Sequence, residues 1–256
     1  MDVVLYEFVE RIAVITLNRP DRLNAVTPQL TAGLCASLQR SIDDGAAAVI
    51  LTGAGRSFCA GHDLKQDAPA SDETGRTQEV MRLVRRSPAP VIAAVNGYAV
   101  GAGCEFALCS DLIIAGESAR FGFPEVSVGL AVTGGISHVL PMAIGLAQAK
   151  ELVLLGEQFT SQRALEIGLI NRVVPDEDVE REAAAWANRL AELPADALKS
   201  AKRVLDTGSQ IDLEAAMHVE QLYAAAALDS PSAREAADEF QKSRTGATHT
   251  HQQGAL

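Results

Sequence analysis

Aromatic residues are scarce in this sequence: phenylalanine, tyrosine and tryptophan make up 4% of its 256 residues, and tryptophan occurs once. Hydrophobic residues nevertheless make up 48%, so the core must consist mainly of alanine, valine, leucine and isoleucine. Such a composition favours closely packed helices and parallel strands over an aromatic-rich β-sandwich. The length suits one large α/β unit, or a domain with a small helical appendage.

Cysteine is also scarce, and its spacing argues against the usual structural roles. Cys35, Cys59, Cys104 and Cys109 form no CxxC pair, and no histidine lies at zinc-finger spacing from them. We therefore expect reduced thiols, with no metal site and no disulfide framework. A basic leader segment is lacking, as is any apolar run of about 18 residues without a polar break. These absences predict a cytoplasmic protein with no membrane partner.

Positive charge is in deficit. The 22 lysine and arginine residues are outnumbered by 33 aspartate and glutamate residues, which gives a formal net charge of -11. Nucleic-acid binding depends mainly on basic side chains that neutralise phosphates, so we expect no nucleic-acid partner. Any anionic small ligand would have to meet a local basic group.

The N-terminal part predicts two short strands followed by a helix. Residues 3–17 are mostly apolar or β-branched, with a break at Glu10 and Arg11, and turn-forming residues follow them. Thr27 and Pro28 fit an N-cap and a first helical position. Apolar residues then recur at a spacing of four, as on one face of an amphipathic helix: Leu30, Leu34, Leu38 and Ile42.

Short apolar runs predict three buried strands, at residues 48–53, 90–97 and 112–115. Their spacing, with a helix between strands, is typical of right-handed βαβ units, which bind ligands at the carboxyl ends of the strands. Residues 66–77 are expected to form a mobile loop before a helix at residues 79–86.

The pattern becomes almost entirely helical after Gly135, apart from an apolar run at residues 169–174. We expect a helix at residues 194–205, with Pro194 in its first position, and another at residues 213–228. The polar tail from residue 245 is expected to fray.

Two glycine-containing turns follow the first two buried strands, CAGHDL at residues 59–64 and GYAVGAGCE at residues 97–105. Small residues let backbone N–H groups point at a ligand, and a helix N-terminus adds partial positive charge. Two such turns facing one point could hold an oxyanion. The spacing alone equally fits glycines that only form tight turns.

Three segments closely resemble the signature of the enoyl-CoA hydratase/isomerase, or crotonase, superfamily. They are LNRPDRLNA at residues 17–25, SFCAGHDL at residues 57–64 and PVIAAVNGYAVGAGCE at residues 90–105. They have the family's order and separation, and residues 119–125 and 168–174 resemble further family segments. The resemblance covers nearly the whole chain. It implies an α/β fold with a crotonase-like (ββα)n spiral core and a helical C-terminal region.

The resemblance also implies a site for an acyl-CoA thioester. The backbone N–H groups of His62 and Ala102 match the family's oxyanion hole, which polarises the thioester carbonyl. The Ala60 carbonyl matches the contact to adenine, and Arg22 offers a positive charge to a CoA phosphate. The residues implied to bind substrate are Arg22, Leu23, Ala25, Ala60, Gly61, Asp63, Leu64 and Gly101.

Glu105 and Glu125 match the two acidic positions of the family's hydratases. In that role Glu105 would take the proton of a water that attacks C3, and Glu125 would exchange the proton at C2. The implied enzyme is an enoyl-CoA hydratase that needs no cofactor, since coenzyme A enters with the substrate. Two alternatives stay open: a Δ3,Δ2-enoyl-CoA isomerase, which needs one carboxylate, and a catalytically weak CoA-binding protein.

The sequence departs from the family pattern at three places. Residues 129–135 lack a proline and a glycine that many hydratases carry before their Gly-Gly pair, and the lysine of a C-terminal motif is shifted to Lys242. Ala102 replaces a common glycine, which is tolerable unless that position needs a positive φ.

The resemblance also implies a division of the chain and an assembly. A catalytic core at residues 1–190 would precede a helical region at residues 191–256, which would serve in trimerisation or as a lid and end in the flexible tail. The implied assembly is a homotrimer or a dimer of trimers.

Overall fold

The computed structural model describes residues 2–63 and 70–228, and only the backbone of residues 70–74. Three expected features lie outside the described residues: Leu64, the first part of the expected loop at residues 66–69, and the tail from residue 245. The chain divides into two compact units, Met1–Glu192 and Leu193–Leu256. The lid or trimerisation role of the second unit stays a prediction.

The described residues of the first unit contain nine strands and seven α-helices. In chain order the strands are β1 Val4–Val9, β2 Ile12–Leu17, β3 Ala48–Gly53, β4 Val91–Val95, β5 Tyr98–Val100, β6 Leu112–Gly116, β7 Arg120–Gly122, β8 Gln158–Thr160 and β9 Arg172–Val174. The helices are α1 Pro28–Asp43, α2 Ala70–Arg86, α3 Ala102–Cys109, α4 Ile136–Ile144, α5 Leu146–Leu155, α6 Ser161–Glu166 and α7 Val179–Ala191. The described part of the second unit consists of α8 Ala195–Gly208, which packs against α9 Leu213–Leu228.

The strands form two sheets, between which the chain alternates. The larger sheet has the order β1-β2-β3-β4-β6-β9, and all its neighbours are parallel except the antiparallel pair β1 and β2. The smaller sheet has the order β5-β7-β8. Each of β4 and β6 is followed by a strand of the smaller sheet and then by helical structure. This repeat of two strands and a helix confirms the predicted α/β class and ββα order.

The large sheet buries both faces, which explains why its central strands are almost continuously apolar. One face, with residues such as Leu51, Ala93 and Ala115, joins the main core with α1, α2 and α3. The opposite face packs Ile50, Ile92 and Ile114 against apolar residues of α7. Because side chains alternate along a strand, each central strand contributes to both cores.

Several sequence predictions need correction. Helix α2 begins at Ala70, so the residues from 70 to 77 are helical and not a loop. Pro194 is the N-cap of α8 and not its first helical residue. The strands β5, β7 and β8 were not predicted, since three residues are too few to display a strand period.

The predicted N-terminus of α1 is confirmed in detail, and its cap can be tested. The Thr27 side chain accepts a hydrogen bond of 3.2 Å from the backbone N–H of Leu30, with Pro28 in the first turn. Thr27→Ala should lower the free energy of unfolding by about 1 kcal/mol, because one N–H of the helix end loses its acceptor. Thr27→Ser should retain most of the wild-type free energy of unfolding, as measured by urea denaturation. Equal losses in the two variants would contradict a capping role.

Candidate active site

The turn that follows β2 is fixed by one buried asparagine. Asn24 is fully buried and has a φ of +55°. Its amide nitrogen donates to the carbonyls of Ala54 and Ser57 at 3.0 and 2.6 Å, and its amide oxygen accepts from the backbone N–H of Arg19 at 2.8 Å. Asn24 therefore binds this turn to the loop that follows β3.

The same two segments make a second set of contacts closer to the expected thioester site. The Arg19 guanidinium donates to the carbonyl of Ala25 at 2.5 Å and to the carboxylate of Asp63 at 3.1 Å. The backbone N–H of Ala60 donates to the carbonyl of Leu23 at 3.0 Å. The residues expected to bind CoA in these two segments thus lie together, with the Arg22 side chain exposed beside them.

The backbone direction at His62 follows from its pairing with Val26. Val26 donates to the Gly61 carbonyl, and Asp63 donates to the Val26 carbonyl. In such a parallel pairing the N–H of the intervening residue points to the opposite side. The N–H of His62 is therefore directed away from Val26.

The turn that contains Gly61 and His62 also contacts the backbone at the N-terminus of α3. Gly61 has a φ of +90°, and a Cβ there would lie 2.9 Å from the carbonyl oxygen of Val100. Gly101, with a φ of +55°, would place a Cβ 3.7 Å from the Cα of Gly61. Only glycine permits both the positive φ and this close approach of two backbones.

Ala102 is the first residue of α3, so its N–H belongs to the first turn and has no acceptor within the helix. Among the described residues, the non-glycine positions with positive φ are Glu10, Arg11, Leu23 and Asn24. Ala102 therefore has the ordinary negative φ, and alanine causes no backbone strain where relatives often carry glycine.

Glu105 lies in the first turn of α3 and is only 1% exposed. Thr133, in the loop before α4, donates to both of its carboxylate oxygens. The backbone N–H of Thr133 donates to Oε1 at 2.5 Å, and its hydroxyl donates to Oε2 at 2.6 Å. Burial raises the pKa of Glu105 above its usual value. The Thr133 hydrogen bonds and the nearby His62 offset only part of this increase.

Glu125 begins the short 3-10 helix Pro124–Val128 and is 8% exposed. Its Oε1 lies 3.3 Å from the position that a Cβ on Gly101 would take, which places the carboxyl beside the N-terminus of α3. Its Oε2 is buried and has no hydrogen-bond partner among the described residues. Burial, and less so the charge of Glu105, raises the pKa of Glu125 to about 7.

The two glutamates therefore differ in their surroundings. Glu105 accepts two hydrogen bonds, which favour a carboxylate, whereas Glu125 has an unpartnered oxygen and is half protonated near neutral pH. Two titratable groups whose environments differ in this way are the usual basis of an acid and base pair. The site can thus offer one proton acceptor and one proton donor beside a set of backbone N–H groups.

In the described part of the chain, the histidine, cysteine, aspartate and glutamate side chains form no group of three or more that could hold a metal ion. None of its helices is both long and apolar enough to cross a membrane.

Comparison with known proteins gives a consistent result. The family model described as enoyl-CoA hydratase/isomerase matches residues 7–248. The 2,3-dehydroadipyl-CoA hydratase of Escherichia coli is 37% identical over 217 residues, which are 83% of this chain and 85% of that protein. The short-chain-enoyl-CoA hydratase of Clostridium acetobutylicum is 35% identical over 224 residues, 85% of this chain and 86% of that protein.

Solved structures agree with these sequence matches. The enoyl-CoA hydratase of Bacillus anthracis superimposes with a TM-score of 0.88 at 31% identity, over 94% of this chain and 96% of that one. The enoyl-CoA hydratase of Mycobacterium smegmatis gives a TM-score of 0.89 at 31% identity, over 95% and 97%. The chain belongs to the enoyl-CoA hydratase/isomerase family and has the crotonase fold.

The structure brings several of the predicted site residues together, but sequence reasoning missed the residues that hold them in place. Asn24 and Arg19 fall in a segment that the resemblance singled out, yet no role was assigned to either. Thr133 was missed because it lies in the loop that departs from the family pattern. No local pattern links it to Glu105, which is 28 positions away.

The buried environment of Glu125 predicts how the stability of the protein should change with pH. Its folded pKa lies above its unfolded value, so its stabilising contribution is present at low pH and is lost as the pH rises towards 7. Glu125→Gln removes this titration. In urea denaturation the variant should gain about 2 kcal/mol relative to the wild type between pH 5 and pH 8. Glu7→Gln, at an exposed site, should show no gain. A constant difference at all pH values would refute the buried proton on Glu125.

Proposed function

We propose that the protein is an enoyl-CoA hydratase, a hydro-lyase that reversibly adds water to a 2-enoyl-CoA to give a 3-hydroxyacyl-CoA. The observation that carries the proposal is the pair of buried glutamates, Glu105 and Glu125, with opposed hydrogen-bonding environments at one site. The names of the similar hydratases from E. coli and C. acetobutylicum support it.

The reaction follows from these two environments. The Glu105 carboxylate takes a proton from water while the water oxygen forms a bond to C3 of the substrate. Electrons of the double bond move onto the thioester oxygen, and the resulting oxyanion accepts hydrogen bonds from the N–H groups of His62 and Ala102. The protonated Glu125 then donates its proton to C2. A proton passed from Glu105 to Glu125, for example through water, restores the starting state.

This reaction involves no change of oxidation state overall, and the thioester supplies its own electron acceptor. We therefore propose that it proceeds without a redox cofactor or metal ion, and that coenzyme A is present only as part of the substrate. Each of the two oxyanion donors would contribute about 2.7–4 kcal/mol to stabilising the transition state, as single donors do in other oxyanion holes.

The CoA portion would bind along the two segments that Asn24 and Arg19 hold together. Ala60, hydrogen-bonded to Leu23, would offer its carbonyl to the adenine, and Ala25, Gly61, Asp63 and Gly101 would line the thioester end. The exposed Arg22 guanidinium would pair with a CoA phosphate. Leu64 is proposed from the sequence match alone.

We also propose a homotrimer or a dimer of trimers in a reducing compartment such as the cytoplasm. Helix α9 exposes apolar side chains that an assembly could cover, among them Leu213, Met217 and Leu222. All four cysteines are free, and three of them are buried.

The hydratase proposal can be tested by activity. Purified protein should consume the conjugated enone absorbance of crotonyl-CoA or of a longer or branched 2-enoyl-CoA. Glu105→Gln and Glu125→Gln should each lower kcat by about 10²–10⁴-fold, since each removes one proton transfer. The matched control Glu117→Gln, at an exposed site, should retain full activity.

Two outcomes would contradict the proposal. Full turnover of a 3-enoyl-CoA by Glu105→Ala, without hydration of any 2-enoyl-CoA, would indicate an isomerase. Binding of CoA without turnover across a broad acyl panel would indicate a binding protein.

The role of Arg22 has its own test. Arg22→Ala should raise KM for crotonyl-CoA by about threefold to tenfold, because a phosphate loses an exposed cationic partner. KM for the corresponding pantetheine thioester, which lacks the nucleotide phosphates, should not change. Arg189→Ala, an equal loss of charge on the helix α7, serves as the control. Equal effects on both substrates would exclude a phosphate contact.

A further inference from the structure

The loop that departs from the family pattern makes the most direct contact with a proposed catalytic group. Thr133 supplies a hydrogen-bond donor to each oxygen of the Glu105 carboxylate, at 2.5 and 2.6 Å. The neighbouring Gly134, with a φ of +56°, would place a Cβ 3.3 Å from both Cβ and Oε2 of Glu105. The loop therefore packs directly on the carboxyl.

Thr133 is itself held in place from the other side. Its carbonyl accepts a hydrogen bond of 3.0 Å from the N–H of Ile136, the first residue of α4. Ile136 is 1% exposed and belongs to the main core. The two donors of Thr133 are thus positioned by a packed helix end before any substrate binds.

We propose that Thr133 is the positioning residue for the base: its backbone N–H and hydroxyl fix Glu105 in one rotamer and hold it as a carboxylate. This inference rests on the proposed hydratase function and adds a residue to it. A carboxylate has about four lone-pair directions, so two donors leave one free on each oxygen for water. Glu125, by contrast, has one carboxyl oxygen without a hydrogen-bond partner among the described residues, which separates the roles of the two glutamates.

Other titratable groups also face Glu105 and must be considered. His62, on the turn after β3, lowers its pKa, and Glu125 is electrostatically coupled to it from the 3-10 helix. On α3 itself, burial raises the pKa of the Cys104 and Cys109 thiols, and the charge of Glu105 raises it further. Thr133 differs from these groups because it donates hydrogen bonds to both carboxylate oxygens, at 2.5 and 2.6 Å.

The first test is the pH profile of kcat/KM for crotonyl-CoA. In Thr133→Val, Oε2 loses its donor, so protonation of Glu105 becomes easier and the acidic limb should move up by about one pH unit. On the acidic side of that limb the variant should be up to about tenfold slower than the wild type, with a smaller loss at pH 8 and little change in KM. Thr133→Ser, which keeps the hydroxyl, should restore the wild-type profile.

A matched control separates positioning from general packing. Thr52, on β3, donates its hydroxyl to the Ala94 carbonyl at 3.0 Å, so Thr52→Val removes a comparable buried hydrogen bond. Its profile should keep the wild-type midpoints. An unchanged profile in Thr133→Val, an equal loss at every pH, or an equal shift in Thr52→Val would each overturn the inference.

A second test does not depend on activity. Between pH 5 and pH 8 the urea midpoint of Thr133→Val should fall more than that of the wild type, because a higher folded pKa of Glu105 removes more stability as the pH rises. This extra fall should vanish when Glu105→Gln is also present. Persistence of the extra fall in the double variant, or its absence in Thr133→Val, would overturn the inference. Wild-type protein that hydrates no enoyl-CoA would instead overturn the proposed function, while the urea series would still decide the role of Thr133.

Discussion

Close contact between two backbones, at Gly61 and at Val100–Gly101, is the constraint on which the site depends. It exists because β3 and β4 are parallel neighbours, so the turns that follow them emerge at the same edge of the sheet. This contact brings the turn that contains His62 beside the N-terminus of α3. The hydrogen bonds of Asn24 and Arg19 then hold the outer wall of the same site.

The side chains proposed to be catalytic belong to a second layer that is built differently. Glu105 lies on a helix that the backbone contact already fixes, but Glu125 and Thr133 come from the segments after β7. Burial makes both carboxyls costly to ionise, and local hydrogen bonds decide which one does so more easily. The edge of the sheet thus determines where the reaction would occur. The segments after β7 determine which carboxyl group holds a proton.

The sequence alone was sufficient to predict those structural features that depend on a local pattern of residues. Apolar and β-branched residues mark β1 and β2, Thr27 marks the start of α1, and continuous apolar runs mark the central strands. Helix α2 was placed too late because its first turns are polar and contain Gly75, a composition shared with loops. Contacts such as Thr133 to Glu105 join residues that are far apart in sequence, and no periodicity encodes them.

The unpartnered oxygen of Glu125 has a consequence for the field inside the site. A carboxyl with a pKa of about 7 carries only part of a negative charge at neutral pH, which lowers the total charge of the empty site. In the proposed reaction the substrate itself becomes an anion, the enolate, next to the two glutamates. A full negative charge on Glu125 would repel that enolate strongly, because the low dielectric inside the site does little to weaken the repulsion at short range. The unpartnered oxygen of Glu125 thus helps the site to tolerate an anionic intermediate despite the acidity of the whole protein.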